Sequence, residues 1–139
     1  MRFDKMKIMQ IFKSENDFIA DLFSEELTRF EESVESYEKS RWANLDYSTY
    51  SLSKILGLDD SYKLPLLVEA LCNLPPSILM PKYYFVEDGE FESISEYDVS
   101  EALSTNFMIN PFTGKEDFNF KPKVIRRFVL AEGVLKSEQ

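Results

Sequence analysis

Apolar residues recur at three- and four-residue steps between residues 14 and 41, which is the spacing of one face of a helix. Ser14 and Asp17 have the spacing of a capping box, with Asp in the place of the preferred Glu. The positions on the opposite face of this helix are mostly acidic. The pattern predicts one long amphipathic helix over 14–41, and its apolar stripe consists of Phe18, Ile19, Leu22, Phe23, Leu27, Phe30, Val34 and Tyr37.

Shorter segments with the same periodicity predict further helices. One runs from Ser48 to Leu56 and is ended by Gly57, because glycine accepts the left-handed conformation that follows many helices. Another runs from Asp60, or from Lys63 because Pro65 fits only a first turn, to about Asn73. The remaining candidates are a helix or strand over 6–12 and a helix over 95–104 with Val99, Ala102 and Leu103 inward.

The pattern changes after Lys82, where two aromatic-rich runs flank the residues Glu87-Asp88-Gly89-Glu90. An Asp-Gly pair between such runs is a strong signal for a two-residue β-turn, so we expect a β-hairpin over 83–94. The segment 124–135 fits a helix by its spacing, but its β-branched residues also permit a strand. That alternative stays open.

Together these elements predict an α+β fold. We expect a predominantly helical single globular domain over 1–139, with a long N-terminal amphipathic helix and one small β-hairpin or short antiparallel sheet. A chain of 139 residues, 44% hydrophobic and 14% aromatic, is long and apolar enough to bury a core. Cys72 is the single cysteine and lies in an apolar run, so we expect a small core residue without a disulfide.

Charge is unevenly distributed along the chain. The net charge is −9, with −8 in residues 14–60 and −6 in residues 82–101, whereas residues 1–13 and 121–139 are each +3. Such a field attracts cationic proteins and repels phosphate. We therefore expect a basic protein partner, and no nucleic acid.

Several kinds of chemistry are excluded by counting. The chain has no histidine, which removes catalytic triads and His-based zinc sites, and its four glycines are isolated, so they form no phosphate-binding loop. Carboxylates remain as candidate metal ligands, at Asp59-Asp60, at residues 87–92 and at Glu116-Asp117. None has a recognisable ligand spacing, so we expect no enzymatic activity, no metal and no cofactor.

The leading hypothesis is a protein-binding inhibitor of the immunity or antitoxin type, which neutralises a basic toxin, with a nuclease domain as the first candidate, by electrostatic occlusion. The candidate contacts are Glu25, Glu32, Glu35, Tyr83, Tyr84, Asp88, Glu90 and Glu92. One alternative is a small acidic chaperone or adaptor for a secreted or phage-assembly client. A second is a metal-dependent hydrolase that uses the clustered carboxylates.

The start of the chain has no apolar stretch of signal-peptide length, and nothing approaches the ~20 apolar residues that span a bilayer. We therefore expect a cytoplasmic protein without a membrane partner. The sequence leaves open whether it is a monomer or a dimer.

Overall fold

The computed structural model describes residues 5–59 and 62–137, and the α+β class is confirmed in that part of the chain. The helices there are α1 (Ile8–Glu15), α2 (Asp17–Leu22), α3 (Ser24–Glu35), α4 (Lys39–Trp42), α5 (Thr49–Leu56), α6 (Lys63–Asn73), α7 (Glu96–Thr105) and α8 (Glu132–Ser137). The strands are β1 (Asp46–Ser48), β2 (Leu79–Glu87), β3 (Glu90–Ile94), β4 (Met108–Ile109), β5 (Glu116–Asp117) and β6 (Val124–Leu130).

Four of the strands form one sheet in the order β1-β6-β2-β3, and β4 and β5 form a separate antiparallel pair. The chain divides into two compact units. Unit 1 comprises the described residues up to Met80 together with 128–137, and unit 2 comprises residues 81–127. The expectation of a single domain over 1–139 stays a prediction.

Unit 1 is built around large apolar side chains from its helices. Phe12, Phe23, Phe30 and Trp42 are almost completely buried, and the Phe30 ring lies 6.1 Å from that of Tyr47. Cys72 is buried here, as its apolar run predicts. Unit 2 has its own small core, formed by Phe85, Ala102, Met108 and Phe120 with partly buried neighbours.

The single long helix predicted over 14–41 is wrong: the segment holds the last two residues of α1, all of α2 and α3, and most of α4. The backbone leaves the helical region at Asn16 (ψ 57°) and at Phe23 (ψ 36°). The Asn16 side-chain amide donates to the carbonyls of Phe12 and Pro75, each at 2.9 Å, so tertiary contact holds the first break. As a result Phe18 is 73% exposed, although the periodicity predicted it to be inward.

The shorter helices agree well with their local signals. Ser48 caps α5, its hydroxyl accepts from the Ser51 backbone N–H at 3.0 Å, and Gly57 follows the helix with a φ of 71°. The helix α6 begins at Lys63, the alternative start; Asp60 itself lies outside the described residues. In α7, Ala102 is buried as predicted, but Leu103 is 58% exposed and its predicted inward position is wrong.

The predicted hairpin over 83–94 is present, with β2 and β3 paired antiparallel on either side of Asp88 and Gly89. Both turn residues have a positive φ, 52° and 79°, as a type I′ turn requires. At the C-terminal end the strand alternative is correct for Val124–Leu130, and the helix begins only at Glu132.

Replacing Gly89 by Ala should destabilise the protein by about 1–2 kcal/mol, because a Cβ disfavours the left-handed conformation of the turn. No atom lies within 4 Å of the added Cβ, so the effect is purely conformational. Urea denaturation followed by circular dichroism measures it. Gly133→Ala is the matched control: it lies in α8 without a positive φ and should leave stability equal or raise it by about 0.5–1 kcal/mol. Equal effects at both positions would contradict the turn assignment.

The Tyr47 hydroxyl is buried and has no hydrogen-bond partner among the described residues, and burial raises its pKa above the ordinary value. Tyr47→Phe removes this hydroxyl and should stabilise the protein by about 1 kcal/mol, since an unpaired buried polar group is unfavourable. Thermal denaturation checks the change. Tyr50→Phe, on an exposed ring, should have no effect. Destabilisation by Tyr47→Phe would show that the hydroxyl is bonded in solution.

Candidate protein-binding site

A polar cluster in unit 2 is centred on the Lys123 ammonium. Its Nζ lies 2.6 Å from Glu87 Oε2 and 2.7 Å from Asp117 Oδ2. Asn110, only 4% exposed, donates from Nδ2 to Glu87 Oε1 at 3.1 Å and to Asp117 Oδ2 at 3.4 Å. We call Glu87, Asn110, Asp117 and Lys123 the Lys123 cluster; it joins the end of β2, the β4–β5 hairpin and the turn before β6.

The position of Asn110 follows from the local sequence Asn110-Pro111-Phe112-Thr113-Gly114. Asn110 Oδ1 accepts from the backbone N–H of Phe112 at 2.8 Å, which forms an Asx turn. Its backbone N–H donates to the Lys115 carbonyl, and Gly114, with φ 73°, donates back to the Asn110 carbonyl at 2.7 Å. This loop is therefore a tight turn that aims the Asn110 amide at the carboxylates.

Electrostatic interactions within the Lys123 cluster favour the charged forms of Glu87, Asp117 and Lys123. The hydrogen bond from Lys123 lowers the pKa of Glu87, with a further contribution from Asn110, and it likewise lowers the pKa of Asp117. The same contacts, first that to Asp117, raise the pKa of Lys123. The ammonium also lies 5.9 Å from the centre of the Phe85 ring, on the edge of the unit 2 core. The cluster is thus an internal ion-pair network at neutral pH.

A groove lies between β3, α7 and β4 and has a volume of about 470 Å³. Its apolar lining residues are Ile94, Ala102, Phe107, Met108, Ile109 and Pro111. The volume is within the range of binding pockets in proteins, which are typically about 300–1,000 Å³. We call this feature the β3–α7 groove.

The rim of the β3–α7 groove is acidic, with Glu92 from β3 and Asp98 and Glu101 from α7. All three are exposed, and none has an ion-pair partner in the described ranges. Residues 87–101 contain seven carboxylates and no basic residue, so no cation close in sequence offsets them. An apolar lining with an unneutralised acidic rim is complementary to a cationic, partly apolar segment.

The predicted contacts on the hairpin have two kinds of surroundings. Asp88, Glu90 and Glu92 are exposed. Tyr83 and Tyr84 are half-buried and already have partners: the Arg126 guanidinium lies 5.9 Å from the Tyr83 ring, and the Phe91 ring packs edge-on against Tyr84 at 5.8 Å. Phe91 is itself 69% exposed and is the more accessible aromatic residue.

The predicted contacts on α3 lie in unit 1. Glu25 and Glu32 are exposed and have no ion-pair partner in the described part of the chain. Glu35 is half-buried, and its carboxylate accepts from the Met6 backbone N–H at 2.9 Å, so it has a structural role. Nearby, Glu31 pairs with Lys13.

The candidate metal-binding carboxylates are arranged differently from the sequence expectation. Glu87 and Asp117 come together, but the Lys123 ammonium occupies the space between them, and Asp60 lies outside the described residues. Over 5–59 and 62–137, no three or more His, Cys, Asp or Glu side chains are grouped so as to hold a metal ion.

Sequence reasoning missed Asp98 and Glu101 as site residues, and it missed Lys123 and Asn110 as the group that organises unit 2. The spacing of Asp98 and Glu101, three residues apart on a predicted helix, was the available signal because such positions share a face. Nothing local marks Glu87 and Asp117 as neighbours.

Comparison with known proteins gives no relative: the chain matches no protein-family model, no curated protein and no solved structure. In the described ranges, no helix combines the length and the apolar character needed to cross a membrane. The geometry of the two units is therefore the basis for assigning a function.

Lys123→Met should lower stability at neutral pH, because it leaves the carboxylates of Glu87 and Asp117 facing each other without a cation. In the unaltered protein both pKa values are lowered by folding. Their stabilising contribution is therefore complete above the ordinary carboxyl pKa and is lost as the pH falls through the lowered values. In the variant we expect the opposite slope, since protonation relieves the repulsion.

Urea denaturation between about pH 6 and about pH 3 measures both slopes. Lys115→Met is the matched control, because Lys115 is exposed and has no ion-pair partner in the described residues. Its acid dependence should follow that of the unaltered protein. Parallel curves for all three proteins would contradict the role given to Lys123.

Proposed function

We propose that the protein binds a basic protein partner and neutralises it, as an inhibitor of the immunity or antitoxin type acting in the cytoplasm. The observation that carries the proposal is the β3–α7 groove, whose apolar lining is surrounded by Glu92, Asp98 and Glu101 without ion-pair partners in the described residues. A nuclease toxin displays lysine and arginine to hold phosphates, so an acidic protein can occupy the same surface. The proposal assigns no catalytic step to this chain.

The charge elsewhere supports the same partner chemistry. Glu25 and Glu32 on α3 add exposed negative charge, within a segment 14–60 whose net charge is −8. Fields of this sign accelerate encounter with a cationic protein and weaken as salt is added. Long-range attraction of this kind requires no contact with α3 itself.

A favourable binding free energy requires the burial of apolar surface as well as charge complementarity. Phe91 is largely exposed on the face of β3 opposite to Glu92, and exposed aromatic side chains are enriched among residues that contribute most to binding. We assign Phe91 as the aromatic anchor in place of Tyr83 and Tyr84, because Phe91 is 69% exposed whereas both tyrosines are half-buried.

Exposed apolar side chains also favour the second candidate, an acidic chaperone or adaptor. Phe18 and Leu22 on α2 are 73% and 54% exposed, as a client-binding or dimer-forming surface would require. Light scattering on the purified protein separates the two functions: a monomer supports the inhibitor, and a dimer that buries α2 supports the chaperone.

The product of the reading frame immediately upstream is the partner to test. We expect a basic nuclease whose activity is lost when this protein is added. The dissociation constant should rise at least about tenfold between about 0.05 M and about 0.5 M salt. The triple variant Glu92→Gln, Asp98→Asn, Glu101→Gln should weaken binding about tenfold or more, since each change removes charge while it keeps shape.

Isothermal titration calorimetry and a nuclease assay measure these effects. Glu132→Gln is the control, because Glu132 already pairs with Lys136 on α8. Its affinity should be unchanged. Binding that is insensitive to salt, or an upstream product that is acidic and unbound, would contradict the proposed function.

A further inference from the structure

The strand β3 lies at one end of the four-stranded sheet and pairs with β2 alone. The two residues Asp88 and Gly89 form the turn, so Glu87 and Glu90 flank it as a hydrogen-bonded pair. Hydrogen-bonded and non-bonded pairs alternate along an antiparallel ladder. The pairs Val86–Phe91 and Tyr84–Ser93 are therefore non-bonded, and the backbone N–H and C=O groups of Phe91 and Ser93 point away from β2.

These outward groups have no hydrogen-bond partner in the described part of the chain. Ser93 lies on the β3–α7 groove, between the groove residues Glu92 and Ile94. An unpaired strand edge is a template for another extended chain. Here the template runs directly along an apolar groove with an acidic rim.

The charge of this edge decides which chain can occupy it. Two copies of β3 paired edge to edge would bring Glu90 and Glu92 of one copy against carboxylates of the other, and like charges directly opposite each other are destabilising. A segment with lysine or arginine at alternate positions would place its cations against Glu90 and Glu92, on the face of β3 that also carries Ile94. Its other side chains would lie on the opposite face, beside Phe91 and Ser93. The occupant that fits is an extended cationic segment of a partner protein.

We propose that unit 2 binds such a segment by strand addition to β3, with the backbone groups of Phe91 and Ser93 completing the ladder. The inference rests on the proposed function for the identity of the partner, but its geometry can be tested without that partner. Strand addition requires that the bound segment is extended, that its cations occupy alternate positions, and that it protects the amides of Phe91 and Ser93 from exchange.

The probe is a synthetic peptide of about seven residues in which lysine alternates with valine, the length of an ordinary strand. Added to the full-length protein, it should slow amide hydrogen exchange at Phe91 and Ser93 at least about tenfold as measured by nuclear magnetic resonance. The Glu92 amide, which bonds to β2, should change little. Slowing across α3 or α7 in place of β3 would overturn the proposal.

Two matched controls isolate backbone pairing from charge. The same peptide with N-methylated alternate residues keeps every charge but cannot complete the ladder, so its affinity should fall about tenfold or more. The Glu92→Gln, Asp98→Asn, Glu101→Gln variant should lose a similar factor, whereas Glu25→Gln, Glu32→Gln on α3 should retain peptide binding. Equal binding of the methylated peptide, or loss of binding only in the α3 variant, would overturn strand addition at this edge.

The outcome is separable from the proposed function. If the upstream nuclease binds with the expected salt dependence but the peptide leaves Phe91 and Ser93 unprotected, strand addition is wrong and the inhibitor function stands. If the peptide protects these amides while the nuclease is not bound, the edge site stands and the inhibitor function is wrong.

Discussion

One shared cation organises unit 2. The Lys123 ammonium lies between the carboxylates of Glu87 and Asp117, and the buried amide of Asn110 bonds to both of them. Because β4 and β5 have only two residues each, their own backbone pairing contributes little stability. The ion-pair network and the small core around Phe85 hold them in place, and the position of β4 in turn defines one wall of the β3–α7 groove.

The network also divides the acidic residues of unit 2 into two groups. Glu87 and Asp117 share the positive charge of Lys123, whereas the carboxylates from Asp88 to Glu101 have no ion pair in the described residues. Some of these carboxylates have a local structural role. Asp88 forms the β-turn. Glu96 and Asp98 lie in the first turn of α7, where they interact favourably with the helix dipole. Glu90, Glu92 and Glu101 have no such structural role, although their mutual repulsion disfavours the folded state. This is the pattern expected where charge is kept for a partner.

Sequence reasoning succeeded where the deciding interaction is local. Ser48 and Gly57 bound α5, Pro65 places the start of α6, and Asp88-Gly89 forms the turn, all through bonds or steric limits within a few residues. The sequence-based prediction was wrong where the local structure depends on a contact with a residue distant in sequence. The helix break at Asn16 depends on the carbonyl of Pro75, 59 residues away, and the apolar periodicity continues across that break unchanged. Glu87 and Asp117 are likewise brought together by folding, which no spacing rule could predict, and Val124–Leu130 carries a pattern that fits either a helix or a strand.

The two acidic regions contribute to association in different ways. The net charge of −8 over residues 14–60 acts at distances up to the Debye length, about 8 Å at physiological salt, and therefore raises the encounter rate with any basic protein without selecting among them. Selection requires short-range contacts, because only these differ between one cationic surface and another. In the proposed complex, the edge of β3 supplies them through backbone direction, groove shape and the spacing of its carboxylates. Under the proposed function, a nonspecific field combined with a directional strand edge would let so acidic a chain favour one partner over other basic proteins.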